Sequence, residues 1–182
     1  KVIDFGLAKA VREPLSHATM LTSPGVIMGT LQYMSPEQAE LNNTDIDTRV
    51  DVYALGVVLY ELLTGTTPLE QQQFKKAAWL EMLRMIKELD PPLPSNRLSS
   101  SVSLPSLAAQ RNLEPVRLAK LVRGDLDWIV MKALDKDRAR RYDSANELGS
   151  DVTRYLTGDP VVAHPASSWY RVRKFLRRYR YQ

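Results

Sequence analysis

The sequence predicts a mainly α-helical protein, and three stretches support that class. Residues 49–64 (RVDVYALGVVLYELLT) are apolar at 50, 52, 53, 55, 57, 58, 59, 60, 62 and 63. These positions run all the way round a helix, so the stretch is expected to be a central helix buried on every side. Residues 71–89 place Phe74, Ala78, Met82 and Ile86 four apart, the spacing of one helical face. Ser144 and Glu147 form a Ser-x-x-Glu capping box. Ala145, Leu148, Val152 and Tyr155 follow at helical spacing, and Gly158 ends the run.

The other elements follow in chain order. Lys1-Val2-Ile3 is a stub of strand and Asp4-Phe5-Gly6 a turn. Residues 7–34 carry Gly, Pro, Ser and Thr without periodicity and form a long loop, a feature that is usually functional or disordered. Ser35-Pro36-Glu37-Gln38 has helix-start chemistry, with a capping serine, proline at the first helical position and Gln38 closing the box. Residues 42–48 are polar loop. Gly56 inside the central helix costs about 1 kcal/mol against alanine, which predicts close approach by another backbone. Thr64-Gly65 ends that helix, with Pro68 beyond. PPLPSNRLSSSVSLPS, residues 91–106, reads as a loop. Helix returns at 114–122 and at 125–135, where Leu126, Ile129, Val130 and Ala133 share a face. Residues 159–168, with two prolines, read as a linker, and no repeat of solenoid period is present.

Composition narrows the function classes. The chain has 182 residues, 44% hydrophobic and 25% charged, as in ordinary soluble globular proteins. It has no cysteine and only two histidines, His17 and His164, far apart in sequence. Disulfides and thiolate metal sites are excluded, and a structural zinc site is not expected. The net charge of +4 belongs to the end of the chain. Arg171, Arg173, Lys174, Arg177, Arg178 and Arg180 fall in the last twelve residues, and without them 19 cations face 21 acids, a balance of −2. A nucleic-acid partner is therefore not expected. The most apolar run, Val52 to Tyr60, is far short of the ~20 residues that cross a bilayer.

Four short motifs stand in a fixed order: Asp4-Phe5-Gly6; Gly29-Thr30-Leu31-Gln32-Tyr33-Met34-Ser35-Pro36-Glu37; Asp51-Val52-Tyr53-Ala54-Leu55-Gly56-Val57; and Asp137-Arg138-Ala139-Arg140-Arg141-Tyr142. Each alone is common. Together they resemble the C-terminal lobe of a eukaryotic-like serine/threonine protein kinase, from residue 1 to about 157. The Gly-Thr-x-x-Tyr-Met-x-Pro-Glu sequence is similar to the serine/threonine version. The stretch from Gly124 to Leu156 is similar to bacterial, particularly planctomycete-type, members. The resemblance implies the helical C-terminal lobe of the α+β kinase fold, truncated before the metal-binding turn.

By that resemblance Asp4 is the catalytic carboxylate that holds Mg²⁺ on ATP, since magnesium takes hard oxygen ligands. Phe5 packs to set its direction and Gly6 lets the backbone turn, completing the cofactor-binding triplet. A turn carboxylate capping an amide is the alternative for Asp4. Residues 7–34 become the activation loop, with Thr19 and Thr22 as favoured phosphorylation candidates and Ser16 and Ser23 behind them; plain solvated hydroxyls are the alternative. Thr30 resembles the threonine that bonds the catalytic aspartate and lysine. Gly29, Thr30 and Tyr33 belong to the floor on which a substrate peptide docks. Glu37 and Arg141 are expected to form a buried structural ion pair. Asp51 resembles the aspartate that holds the catalytic loop's backbone, or is simply a first-turn carboxylate favoured by the helix dipole.

The family also uses a Gly-rich loop, a phosphate-pairing lysine, its glutamate and a His-Arg-Asp-x-x-x-x-Asn loop, none of which occurs in these 182 residues. The expectation is a cytoplasmic kinase acting on protein substrates, of which this stretch alone is inactive. The alternatives are a pseudokinase-type binding module and a helical adaptor. Residues 1–157 are expected to be partial kinase domain and 158–182 a linker and basic amphipathic tail. In that tail Trp169, Val172, Phe175/Leu176 and Tyr179 recur at helical spacing among the arginines. Residues 169–180 are expected to meet an anionic membrane surface, to connect to a further domain, or to pack on the lobe.

Overall fold

The computed structural model describes residues 31–40, 47–69 and 77–165. Seven α-helices lie wholly within them: α1 Arg49–Thr64, α2 Trp79–Glu88, α3 Pro94–Ser99, α4 Leu104–Gln110, α5 Pro115–Val122, α6 Asp125–Ala133 and α7 Ala145–Thr157. A 3-10 turn, Arg138–Arg140, precedes α7, and no β-strand occurs among the described residues.

Helix α1 is the axis, and α3, α6 and α7 pack against it. One core cluster joins Val52 of α1 to Leu126, Ile129 and Ala133 of α6, and to Tyr142, Leu148 and Val161. A second joins Tyr53, Val57 and Tyr60 to Val130 and Leu134. Gly56 faces α6, where an added Cβ would stand 2.8 Å from the Ala133 Cβ and 3.1 Å from Leu134 Cδ2. The close approach expected at Gly56 is thus made at the end of α6, though by the side chains of Ala133 and Leu134 rather than by a backbone. The expectation of burial all round is corrected: Leu55 is 42% and Leu62 65% exposed. Apolar composition gives a helix the capacity to be buried, but neighbours decide which sides are.

The Pro/Ser-rich stretch 91–106 is not loop throughout. Pro94 and Pro105 sit in the first turns of α3 and α4, where a missing N–H costs nothing. Leu98 is fully buried in a cluster with Ala108, Leu118 and Val122, which draws α3, α4 and α5 together at the end of α1. The buried Asp127 carboxylate accepts from the Ser95 N–H at 2.8 Å and the Gly124 N–H at 3.1 Å, so one side chain satisfies donors at the starts of α3 and α6. Long-range burial and this cap override the local composition.

The second predicted helix is described from Trp79. It buries Leu83 and Ile86 against Ala39 and Leu69, while Ala78 is exposed and Phe74 lies outside the described residues. Ser144 accepts from the Glu147 N–H at 3.3 Å, the serine half of the box expected for α7, while the Glu147 carboxylate accepts from the Asp143 N–H at 3.0 Å instead; Gly158 takes the left-handed conformation (φ 78 is seen also at Gly65; here φ is 77). The chain does not leave the lobe at Gly158. Val161 is 4% exposed in the core, and the segment read as a linker is held to α7 as far as Ala163.

Candidate functional site

Residues 31–40 form a ledge on the lobe, and two anchors fix it. The first is at Tyr33. Its side chain reaches α1 and donates a 2.6 Å hydrogen bond to Glu61 Oε2. That acceptor, with partial burial, pushes the phenol's pKa up to about 12. In the same stretch Leu31, Ser35 and Pro36 are buried. The Gln38 amide oxygen accepts from the Ser35 N–H at 3.0 Å and the Ser35 hydroxyl at 3.2 Å. The glutamine half of the expected box therefore forms, but it closes a set of turns over 36–39 rather than starting an α-helix.

The second anchor is Glu37 with Arg141. Arg141 Nη1 lies 2.6 Å from Glu37 Oε1 and Nη2 lies 2.7 Å from Oε2, a bidentate pair whose side chains are 0% and 8% exposed. A buried guanidinium is tolerable only if its donors are used. Here Nε donates to Asp135 O at 2.7 Å, Nη1 also to Arg49 O at 3.2 Å, and Nη2 also to Lys136 O at 3.4 Å. All five N–H bonds have an acceptor. The cation also stands 4.9 Å from the Tyr53 ring centre. Burial pushes the Tyr53 phenol up to about 12, against the opposing pull of Arg141.

The loop that presents Arg141 is itself pinned. Asp137 caps the 3-10 turn by accepting from the Ala139 N–H at 2.9 Å. Arg49, at the start of α1, donates to Arg138 O at 3.3 Å and to Asp143 Oδ1 at 2.6 Å. Lys136 Nζ donates to Ile86 O at 2.6 Å in the last turn of α2, and burial lowers its pKa. Three elements thus converge on residues 135–143, which is why a 3-10 turn can hold a buried charge in place.

The predicted residues divide by place. Glu37, Arg141 and Tyr33 lie in the ledge and its anchors. Asp51 is exposed in the first turn of α1, in keeping with a first-turn carboxylate. Asp4, Phe5, Gly6, Ser16, Thr19, Thr22, Ser23, Gly29 and Thr30 lie outside the described residues, as do residues 169–180 of the tail. Glu61 and Tyr53 were missed. Glu61 had a signal: it is the single charge in the run 52–63, and an acid in a buried helix needs a donor. Tyr53 had none, since nothing local marks which aromatic a distant guanidinium will cover.

An acid in a serine-proline-glutamate turn, held bidentately by an arginine just before the last helix, sits in the order of motifs that the sequence carries. Residues 1–149 match the family described as "Protein kinase domain". The chain belongs to the protein kinase family. The kinase relatives are bacterial serine/threonine enzymes by name. The serine/threonine-protein kinase PknB of Mycobacterium leprae is 33% identical over 163 residues, covering 90% of this chain and 21% of that protein. PknB of Mycobacterium tuberculosis H37Rv is 34% identical over 163 residues, with the same coverages of 90% and 21%. The probable serine/threonine-protein kinase PknB of Bifidobacterium longum is 36% identical over 163 residues, covering 90% and 19%. The chain spans about a fifth of the length of these curated relatives. Within the kinase family, the described helices are those of a helical C-terminal lobe. Among the described residues no group of three or more His, Cys, Asp or Glu could hold a metal ion, and no helix is long and apolar enough to cross a membrane.

Proposed function

We propose that this chain is the C-terminal-lobe part of a serine/threonine protein kinase that transfers the γ-phosphate of ATP to serine or threonine of protein substrates in the cytoplasm. The observation that carries the proposal is the doubly anchored ledge, Tyr33 to Glu61 and Glu37 to Arg141, in a kinase-family chain. A substrate peptide needs a fixed floor, because phosphoryl transfer depends on in-line positioning more than on covalent work by the protein. Tyr33, proposed to belong to the floor that meets the substrate, is itself held by the first of these anchors.

The roles follow from residue chemistry. Asp4 offers the hard oxygen that would hold magnesium, and Mg²⁺-bound ATP supplies the transferable phosphoryl group. Phe5 and Gly6 set the direction of Asp4. Thr30 orients the catalytic aspartate and lysine of the complete site. Phosphate on Thr19, Thr22, Ser16 or Ser23 adds about −1.5 to −2 charges and orders the loop before the ledge against cations. Asp51 is proposed to receive backbone N–H groups of the catalytic loop. The basic tail, residues 169–180, is proposed to lie against an anionic membrane surface or to lead to a further domain.

No His-Arg-Asp base exists in the 182 residues, so this stretch alone is proposed to be inactive. The test joins it to the N-terminal half of a PknB-type kinase, ending at that protein's catalytic loop. Radiolabelled ATP with Mg²⁺ and a generic protein substrate is the assay. The chimera is expected to label serine or threonine, Asp4→Ala to lose the activity by about 10³-fold or more, and the unjoined chain to show none. Equal labelling by the Asp4→Ala chimera would overturn the metal role. A folded chimera that binds ATP but labels nothing would favour a binding module.

A further inference from the structure

The segment after α7 makes contacts that a linker does not need. Asp151 is 1% exposed, and its two oxygens are fully engaged. Oδ1 accepts from the Val162 N–H at 2.6 Å and lies 3.7 Å from Arg154 Nη1. Oδ2 accepts from the Ala163 N–H at 2.9 Å and from the Tyr142 hydroxyl at 2.9 Å. Val161 packs in the same cluster as Tyr142, Val52 and Leu148. His164 meets the Trp128 ring edge-on at 5.7 Å. A buried carboxylate therefore binds two consecutive backbone amides of this segment, while a neighbouring side chain fills the core.

We propose that residues 159–164 are a clasp whose seating on Asp151 tightens the Glu37–Arg141 anchor, with Tyr142 as the link. Tyr142 is 2% exposed and directly follows Arg141 in the chain. Its hydroxyl shares Oδ2 with the clasp, and Lys132 Nζ stands over its ring, 4.6 Å from the centre. When the clasp leaves, Asp151 loses both amide donors and keeps the Tyr142 hydroxyl as its strongest partner in the interior. A buried carboxylate left with fewer donors is costly, so Tyr142 and its hydrogen bond must readjust or water must enter. Close packing converts either response into movement of the adjacent Arg141 backbone. The lobe would then read, at residues 35–40, whether the segment following α7 is seated. The kinase that carries it could be tuned from the chain beyond residue 165. The rigidity of the ledge is a property of the fold and is independent of phosphotransfer.

Hydrogen exchange of the 182-residue chain tests it. The reporters are the amides of Val162 and Ala163 in the clasp, and of Gln38, Ala39 and Glu40, which are bonded to carbonyls within the ledge. Val161→Ala thins the clasp's buried side chain without touching Asp151. It is expected to speed exchange ~10-fold at both sets of reporters while the α5 amides of Leu118–Val122 stay within about twofold. With Tyr142→Phe in the same chain, Val161→Ala should still loosen the clasp but no longer alter residues 38–40. Faster exchange at 162–163 with none at 38–40 overturns the coupling. An equal rise in α5 means general loosening and also overturns it. If neither Val161→Ala nor Asp151→Asn speeds exchange at 162–163, there is no clasp.

Discussion

Replacing Arg141 with alanine is the sharpest test of how the ledge is held. The change removes a guanidinium with five used donors. Glu37, 8% exposed, keeps its charge and loses its counter-ion. The carbonyls of Asp135, Arg49 and Lys136 lose a donor, and the Tyr53 ring loses its cation. Removing one partner of a buried pair costs about 3–5 kcal/mol, chiefly because the survivor stays buried and uncompensated. A domain of this size loses roughly 2–4 °C of Tm per kcal/mol, so Tm should fall by roughly 6–20 °C. The assay is far-ultraviolet circular dichroism with temperature, repeated in urea. Arg84→Ala is the control, because its pair with Glu88 is 65% and 59% exposed and should leave Tm unchanged. A Tm for Arg141→Ala within 2 °C of the parent, by the same ~1 kcal/mol scale, would show that the pair does not carry the ledge.

Two glycines should respond in opposite directions. Gly56→Ala gains about 1 kcal/mol of helix propensity, but its Cβ meets the Ala133 Cβ at 2.8 Å, and overpacking of about 1–3 kcal/mol should leave a net loss of stability by urea denaturation. Gly149→Ala in α7 meets nothing within 4 Å and should raise stability by about 0.5–1 kcal/mol. Stability should also fall at high pH. The Tyr33 and Tyr53 pKa values are both raised from 10.0 to about 12 in the folded chain, so the fold favours the neutral phenols. Their contribution is complete below pH 10 and is lost as pH rises from about 10 to 12. Tyr53→Phe should flatten that decline in urea midpoints measured across the window; an unchanged decline would contradict the burial of its hydroxyl.

What was legible in the sequence is what local chemistry encodes. Helix α1 runs from Arg49 to Thr64, the limits read from its apolar run and Gly65, because a helix is bounded by its own caps and residues. Helix α7 with Ser144 and Gly158 was legible for the same reason. The pairing of Glu37 with Arg141 was expected from the resemblance to the kinase family, and it spans 104 positions that no periodicity connects. The misreadings share one cause. Residues 91–106 have loop composition, yet two prolines start helices there, since Leu98 is buried and Asp127, 32 positions from Ser95, supplies an acceptor. Residues 159–168 read as a linker, yet Asp151 takes the amides of Val162 and Ala163.

By itself the sequence determined the helical class, the limits of the strongest helices and the kinase family, because propensity and capping are carried by residues near one another, and each motif is a short run whose order is read directly along the chain. Only the tertiary structure decided that Leu55 and Leu62 face outward, that Glu61 receives Tyr33, and that the chain after Gly158 folds back on Asp151. Those outcomes depend on which groups meet across the core, where burial makes each unpaired charge or donor costly enough to fix its partner.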